Sequence, residues 1–94
     1  MIIVSQDKTK IVNFDNLTQI YLTQIYITQD EEKTATFIRY ETVDSLYDDL
    51  GEYKTEERAK EVLQEIIEIY REEIIHGSSG YFSSTKTVYD MPED

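Results

Sequence analysis

Residues 17–29 read LTQIYLTQIYITQ. The tetrad TQIY occurs at Thr18–Tyr21 and again at Thr23–Tyr26, and a third TQ stands at Thr28–Gln29. Ile, Tyr, Leu and Thr are strand formers, because branched and aromatic side chains pack well on a pleated surface, so Leu17–Gln29 is read as one long strand. The repeat has a period of five, whereas side chains on a strand alternate with a period of two. Tyr21 and Tyr26 therefore face opposite sides of a regular sheet, and so do Ile20 and Ile25. A ladder of ligands would need an even period. One extra residue, a bulge near Thr23, would restore the facing. The stutter is read as a local duplication inside a strand.

After the long strand, QDEEK (Gln29–Lys33) is a charged hairpin loop, and Lys33–Val43 is the strand that pairs back on it. Asp44–Tyr53 is a shorter, acid-rich turn and strand with Leu46, Leu50 and Tyr53 as apolar anchors. At the N-terminal end, Ile2–Ser5 and Ile11–Phe14 form a hairpin around the polar turn Gln6–Thr9, and Phe14–Asn16 makes a corner, since Asp and Asn side chains bond to nearby backbone.

The helix is the clearest element. Thr55 is its N-cap, Glu56 and Glu57 fall in the first turn where the dipole favours acids, and the helix runs to His76. Ala59, Val62, Leu63, Ile66, Ile67, Tyr70 and Ile74 recur at helical spacing and give one apolar stripe. Gly77 is a natural residue just past a helix end, Gly77–Gly80 is a loop, Tyr81–Met91 a last strand and Pro92–Asp94 a tail. The expected fold is one α+β domain spanning residues 1–94, an antiparallel sheet of N-terminal hairpin and meander with one long amphipathic helix on one face and a C-terminal strand.

Chemistry is sparse. The 94 residues contain no cysteine, one histidine and three glycines, which removes thiolate sites and phosphate-binding Gly-rich loops. His76, at a helix end, has no nucleophile at a recognisable spacing. Glu41 with Asp48 and Asp49 lacks the loop pattern of a calcium site. We expect no enzymatic activity, no catalytic residues, no metal and no cofactor. The net charge of −11 repels phosphate backbones, so direct nucleic-acid binding is not expected, while a basic protein surface would attract the chain. No apolar run approaches a membrane span and no signal peptide is read at Met1–Val4, so the expectation is a cytoplasmic protein without a membrane partner.

Two features offer ligand chemistry. Lys54, Thr55, Arg58 and Lys60 gather where the free N–H groups of the helix start could meet a phosphate, although Glu56 and Glu57 oppose an anion there and the ordinary reading pairs Glu56 with Lys60 and Arg58 with Glu61 or Glu57. Eight tyrosines, spread over nearly every element, offer faces for stacking a base or for burial against a protein. The candidate ligand-binding residues are Arg58, Lys60, Lys54, Arg39, Tyr53 and Tyr21. A small domain with a Tyr- and Ile-rich strand also has an edge to hide, which favours a homo-oligomer.

Three stretches, MIIVSQDKTKIVNFDN (1–16), LGEYKTEERAKEVLQEI (50–66) and VYDMPED (88–94), resemble a widespread family of small uncharacterised phage and prophage proteins of Firmicutes. The resemblance covers the two ends and the helix, and it carries over no site residues. It implies an accessory protein acting in the host bacterial cytoplasm, with an anti-defence role. One route is sequestration of a nucleotide-derived immune signal, for which Arg39, Arg58, Lys60, Arg71 and the tyrosines are available. Another is an acidic inhibitor of a host defence nuclease, for which Glu61, Glu65, Glu68 and Glu72 would supply an acidic helix face. A third is a structural or regulatory protein of the phage itself.

Overall fold

The computed structural model describes residues 1–26, 34–77 and 87–94, with the side chains of 25, 26, 34 and 75–77 excepted. The expected loops at 29–33 and 78–80, the first half of the expected last strand at 81–86, and the side chains of Tyr26, His76 and Tyr81 lie outside the described residues.

The fold is α+β, as expected, but its strands form two sheets. β1 (Ile2–Val4) and β2 (Ile11–Asn13) pair as an antiparallel hairpin, and β6 (Val88–Asp90) pairs with β1 in parallel. β3 (Leu17–Tyr26), β4 (Thr34–Thr42) and β5 (Tyr47–Tyr53) form an antiparallel meander in that order. The single α-helix among the described residues, α1 (Glu56–Gly77), packs on the meander, meeting β3, β4 and β5. A parallel pair needs a long crossover. Here the whole meander and α1 lie between β1 and β6 in the chain, and strands three residues long carry too little pattern to announce the pairing.

The first hairpin turns through Lys8, whose φ of 64° is left-handed. The turn is held from inside by Asp7. Its carboxylate accepts bonds from the Ser5 hydroxyl at 2.7 Å, the Thr9 hydroxyl at 2.7 Å and the Thr9 N–H at 3.0 Å. These bonds, the Thr9 hydroxyl first, favour the charged form and hold the Asp7 carboxyl well below the usual carboxylate range. The corner at Phe14–Asn16 is one turn of 3-10 helix, capped by the Asn13 side chain accepting from the Asp15 N–H at 3.1 Å.

The meander's parity is set by two bulges, neither of them at Thr23. Pairing of β3 with β4 is continuous from Gln19↔Glu41 to Tyr26↔Thr34, and the register slips instead between Leu17 and Gln19. Thr18 is the extra residue, and its hydroxyl donates to the Glu41 carbonyl at 3.1 Å. The slip lets Leu17 and Ile20, an odd number of positions apart, both pack on the core. In β5 the register slips at Leu50: Gly51 opposes Ile38 and Asp49 opposes Arg39. Leu50 and Tyr53, again an odd number apart, are thereby both buried, at 1% and 2% exposure, while Tyr47 and Asp49 take the outer face. Leu46, expected as an apolar anchor, is exposed in the turn before β5, where the chain reverses through Ser45 with φ of 65°.

The core joins both sheets to the helix. Val12, Ile3 and Tyr89 are register neighbours across β2, β1 and β6, and they meet Ile38, Leu50 and Tyr53 of the meander and Ala59, Val62 and Ile66 of α1. Met1 and Met91 complete it. Gln6 stitches the two sheets together. Its N–H donates to the Leu50 carbonyl, its side-chain amide donates to the Glu52 and Glu93 carbonyls and accepts from the Glu52 N–H, each at 2.8 Å.

The helical stripe is rotated from its expected position. Ala59, Val62 and Ile66 are buried, Tyr70 packs at the margin and Leu63 is half-buried, but Ile67 and Ile74 are exposed, and Ile69 is drawn against the core. The cause is the first sheet. Glu73, on the same side as Ile69, receives the Met1 ammonium at 2.6 Å, so the buried arc is centred between the sheets and not over the meander alone.

Candidate functional site

The helix start is a completed cap. The Thr55 hydroxyl accepts from the Arg58 N–H at 3.1 Å, and the Thr55 carbonyl accepts from the Ala59 N–H at 3.2 Å. Glu56 then takes the nearby polar groups: Lys60 lies 3.4 Å from one oxygen, and the Gln24 amide donates to the other at 3.4 Å. Arg58 donates from Nε to the Asp94 carbonyl at 3.0 Å, tying the C-terminal tail to the helix. Lys54 is exposed.

The six sequence-derived ligand residues are divided by the fold. Arg58, Lys60 and Lys54 stand at the helix start. Tyr53, their neighbour in sequence, points inward: it is 2% exposed and its hydroxyl donates to the Pro92 carbonyl at 2.9 Å. Burial pushes its hydroxyl up to about 12. Arg39 and Tyr21 are cross-strand partners on the opposite, outer face of the meander, since Ile38 and Tyr40, the residues flanking Arg39, pack inward. Arg39 holds Asp49 with both arms, Nε at 2.8 Å and Nη2 at 3.4 Å, and its guanidinium lies 4.8 Å from the Tyr47 ring centroid. The Asp49 bond raises the already high basicity of Arg39. The chemistry asked of these residues, cations and ring faces converging on one point, is not assembled in this geometry.

A different surface is assembled. Along the outer side of α1 a shallow depression of about 600 Å³ is lined by Glu57, Glu61, Glu65 and Glu68 together with Lys60 and Gln64. Its single cation is the one engaged by Glu56. Glu65 is fixed by the Tyr89 hydroxyl, which donates to it at 2.5 Å. Burial, then the bond to Glu65, pushes the Tyr89 hydroxyl far above its ordinary range. Glu61, Glu65 and Glu68 are legible in the sequence as an acidic face. Glu57 reads there as a dipole partner or a partner for Arg58, although the i, i+4 steps from Glu57 to Glu61 and from Glu61 to Glu65 make one row. Tyr89 as the anchor of Glu65 has no sequence signal. Glu72 is exposed on the helix but does not line the depression.

Tyr53 and Tyr89 carry a pH prediction. A phenol whose folded-state value is raised keeps its contribution intact below the unfolded value near 10, and loses it as the pH climbs toward the folded value. Stability is therefore expected to fall above about pH 10. In an alkaline titration followed by tyrosinate absorbance, two tyrosines should resist ionisation until the fold opens. Smooth titration of all eight before any loss of circular dichroism would contradict this placement.

Among the described residues no group of three or more His, Asp or Glu converges as a metal site, and no helix is long and apolar enough to cross a membrane. No known protein-family model, curated protein or solved structure matches the chain.

Proposed function

We propose that the chain is a non-enzymatic binding protein whose acidic helix face occupies a basic surface on a partner protein. In the phage setting suggested by its sequence, that surface is the nucleic-acid channel of a host defence nuclease, acted on in the bacterial cytoplasm. The observation that supports this reading is the pairing of two facts. Glu57, Glu61, Glu65 and Glu68 line one open depression, while Arg39, Arg58 and Lys60 are occupied by Asp49, the Asp94 carbonyl and Glu56. An excess of exposed negative charge on a rigid helix steers the chain to basic surfaces and away from anionic ligands. Sequestration of a nucleotide-derived signal would ask those cations to leave their present partners, and Tyr53 to leave the core.

The test has two arms. Cleavage assays with a panel of purified bacterial defence nucleases should show loss of cleavage by at least one of them when the chain is added, an inhibition that weakens as salt rises. Calorimetry against cyclic nucleotides, ADP-ribose derivatives and short oligonucleotides should give no heat. Heat with any of these that disappears in Arg58→Ala would replace this reading with signal sequestration.

A further inference from the structure

We propose that the outer edge of β3 pairs with β3 of a second copy of this chain, antiparallel and centred on Tyr21. β3 is the terminal strand of the meander, and among the described residues nothing pairs with its outer edge. Edge strands are ordinarily protected by lysine, proline, bulges or shortness. β3 is ten residues long, LTQIYLTQIY, without a charge, a proline or a glycine, in a chain whose net charge is −11. A second copy carries the same negative charge, so two copies can meet at low cost only along a neutral surface, and this edge is one.

The sequence of the edge also fits itself. With Tyr21 on the two-fold axis, Ile20 of each copy lies opposite Leu22 of the other, and Gln19 opposite Thr23. Ile20 and Leu22 both face the core side of the sheet, so the apolar row continues across the axis, and polar residues meet on the outer face with the paired tyrosines. Moving the axis by one residue to Leu22 would place Ile20 opposite Gln24, whose amide is held by Glu56, and set an apolar side chain against a polar one. The bulge at Thr18 ends the regular edge on the other side, leaving Gln19–Thr23 as the symmetric segment.

The groove beside this edge supplies the second reason. An apolar cavity of about 360 Å³ lies between the 3-10 corner, β3 and α1, with Phe14, Ile20, Leu63, Ile67, Tyr70 and Ile74 among its walls. Ile67 and Ile74, 36% and 53% exposed, are its rim. An axis perpendicular to the sheet at Tyr21 makes one sheet of six strands, sets both helices on the same face and turns the two grooves toward each other. The interface is separate from the acidic face of α1, so the dimer carries two such faces.

The absence of cysteine makes single-cysteine variants clean probes. Multi-angle light scattering of the unmodified chain at micromolar concentration should give twice the 11.1 kDa chain mass. Tyr21→Cys treated with a short bifunctional thiol reagent should yield a covalent dimer, and Leu22→Cys should yield severalfold less. Tyr21→Lys, which sets like charges opposite each other on the axis, should return the chain to monomer with its circular dichroism unchanged. A monomer mass for the unmodified chain overturns the proposal. So does a dimer that Leu22→Cys cross-links in preference to Tyr21→Cys, whatever becomes of the lysine variant.

Discussion

Ile66→Asp is expected to abolish cooperative folding. Ile66 is 2% exposed on α1, inside the cluster where the helix meets both sheets, and it also forms part of the wall of the apolar groove. Removing its side chain alone costs about 2–5 kcal/mol, the transfer term plus the cavity left behind. The aspartate adds a charge with no partner in that cluster, which is worth several kcal/mol more or forces the carboxyl to remain protonated. A small domain has about 5–15 kcal/mol in hand, so the two terms together consume most or all of it. The variant should show no thermal transition and a collapsed far-ultraviolet helix signal. Ile66→Val, which keeps the shape and removes one methyl, should cost only about 0.5–1.5 kcal/mol. An aspartate variant that melts like the unmodified chain would mean the helix does not pack on these sheets.

The second large effect is expected at Gly51. A Cβ there would stand 3.0 Å from both Cε2 and the hydroxyl oxygen of Tyr53, and 3.3 Å from Cβ of Gln6. Neither neighbour gives way easily. Tyr53 is buried and bonded to the Pro92 carbonyl, and Gln6 is pinned by bonds to β5 and the C-terminal tail. Gly51→Ala should therefore cost about 1–3 kcal/mol through overpacking, even though alanine is the better residue elsewhere in a strand. For a domain of this size each kcal/mol lowers Tm by about 4–8 °C. The urea midpoint should fall with no change in slope. An unchanged midpoint would show that β5 shifts freely against the first hairpin, and that Gln6 does not lock the two sheets together.

These two positions also mark where the sequence can and cannot be read. Ile66 is legible: its spacing from Ala59, Val62 and Tyr70 defines a helical stripe, and Thr55 caps the helix as its residue type suggests. The rotation of that stripe is not. Ile67 and Ile69 are equally apolar, and only the position of the first sheet, with the Met1 ammonium on Glu73, decides that Ile69 turns inward and Ile67 out. The TQIY stutter correctly raises the question of parity, but period alone cannot place a bulge. Thr18 and Leu50 take those places because Leu17 with Ile20, and Leu50 with Tyr53, must reach one core from odd separations.

The candidate site divides along the same line. A row of glutamates at helical spacing is a local pattern, and it survives as an exposed face. A site of cations and tyrosines requires convergence, which depends on which residues the meander sends inward. Tyr53 goes to the core and Arg39 to the far side of the sheet with Asp49. Lys60 meets Glu56 because four residues on a helix bring the two within reach whatever else happens.

The proposed role of the glutamate row of α1 is tested by comparing two variants of equal net charge. One changes Glu57, Glu61 and Glu68 to lysine and leaves the Glu65–Tyr89 bond alone. The other makes the same change at Asp15, Asp44 and Glu93, which are exposed and off the helix. Each moves the net charge from −11 by the same six units, to −5. The proposed inhibition of a defence nuclease should weaken about tenfold or more for the helix variant, as three charge pairs of about 0.5 kcal/mol or more become repulsive. It should be nearly unchanged for the other, with both melting alike. Equal weakening by both variants, or none by either, would contradict a role for the helix face.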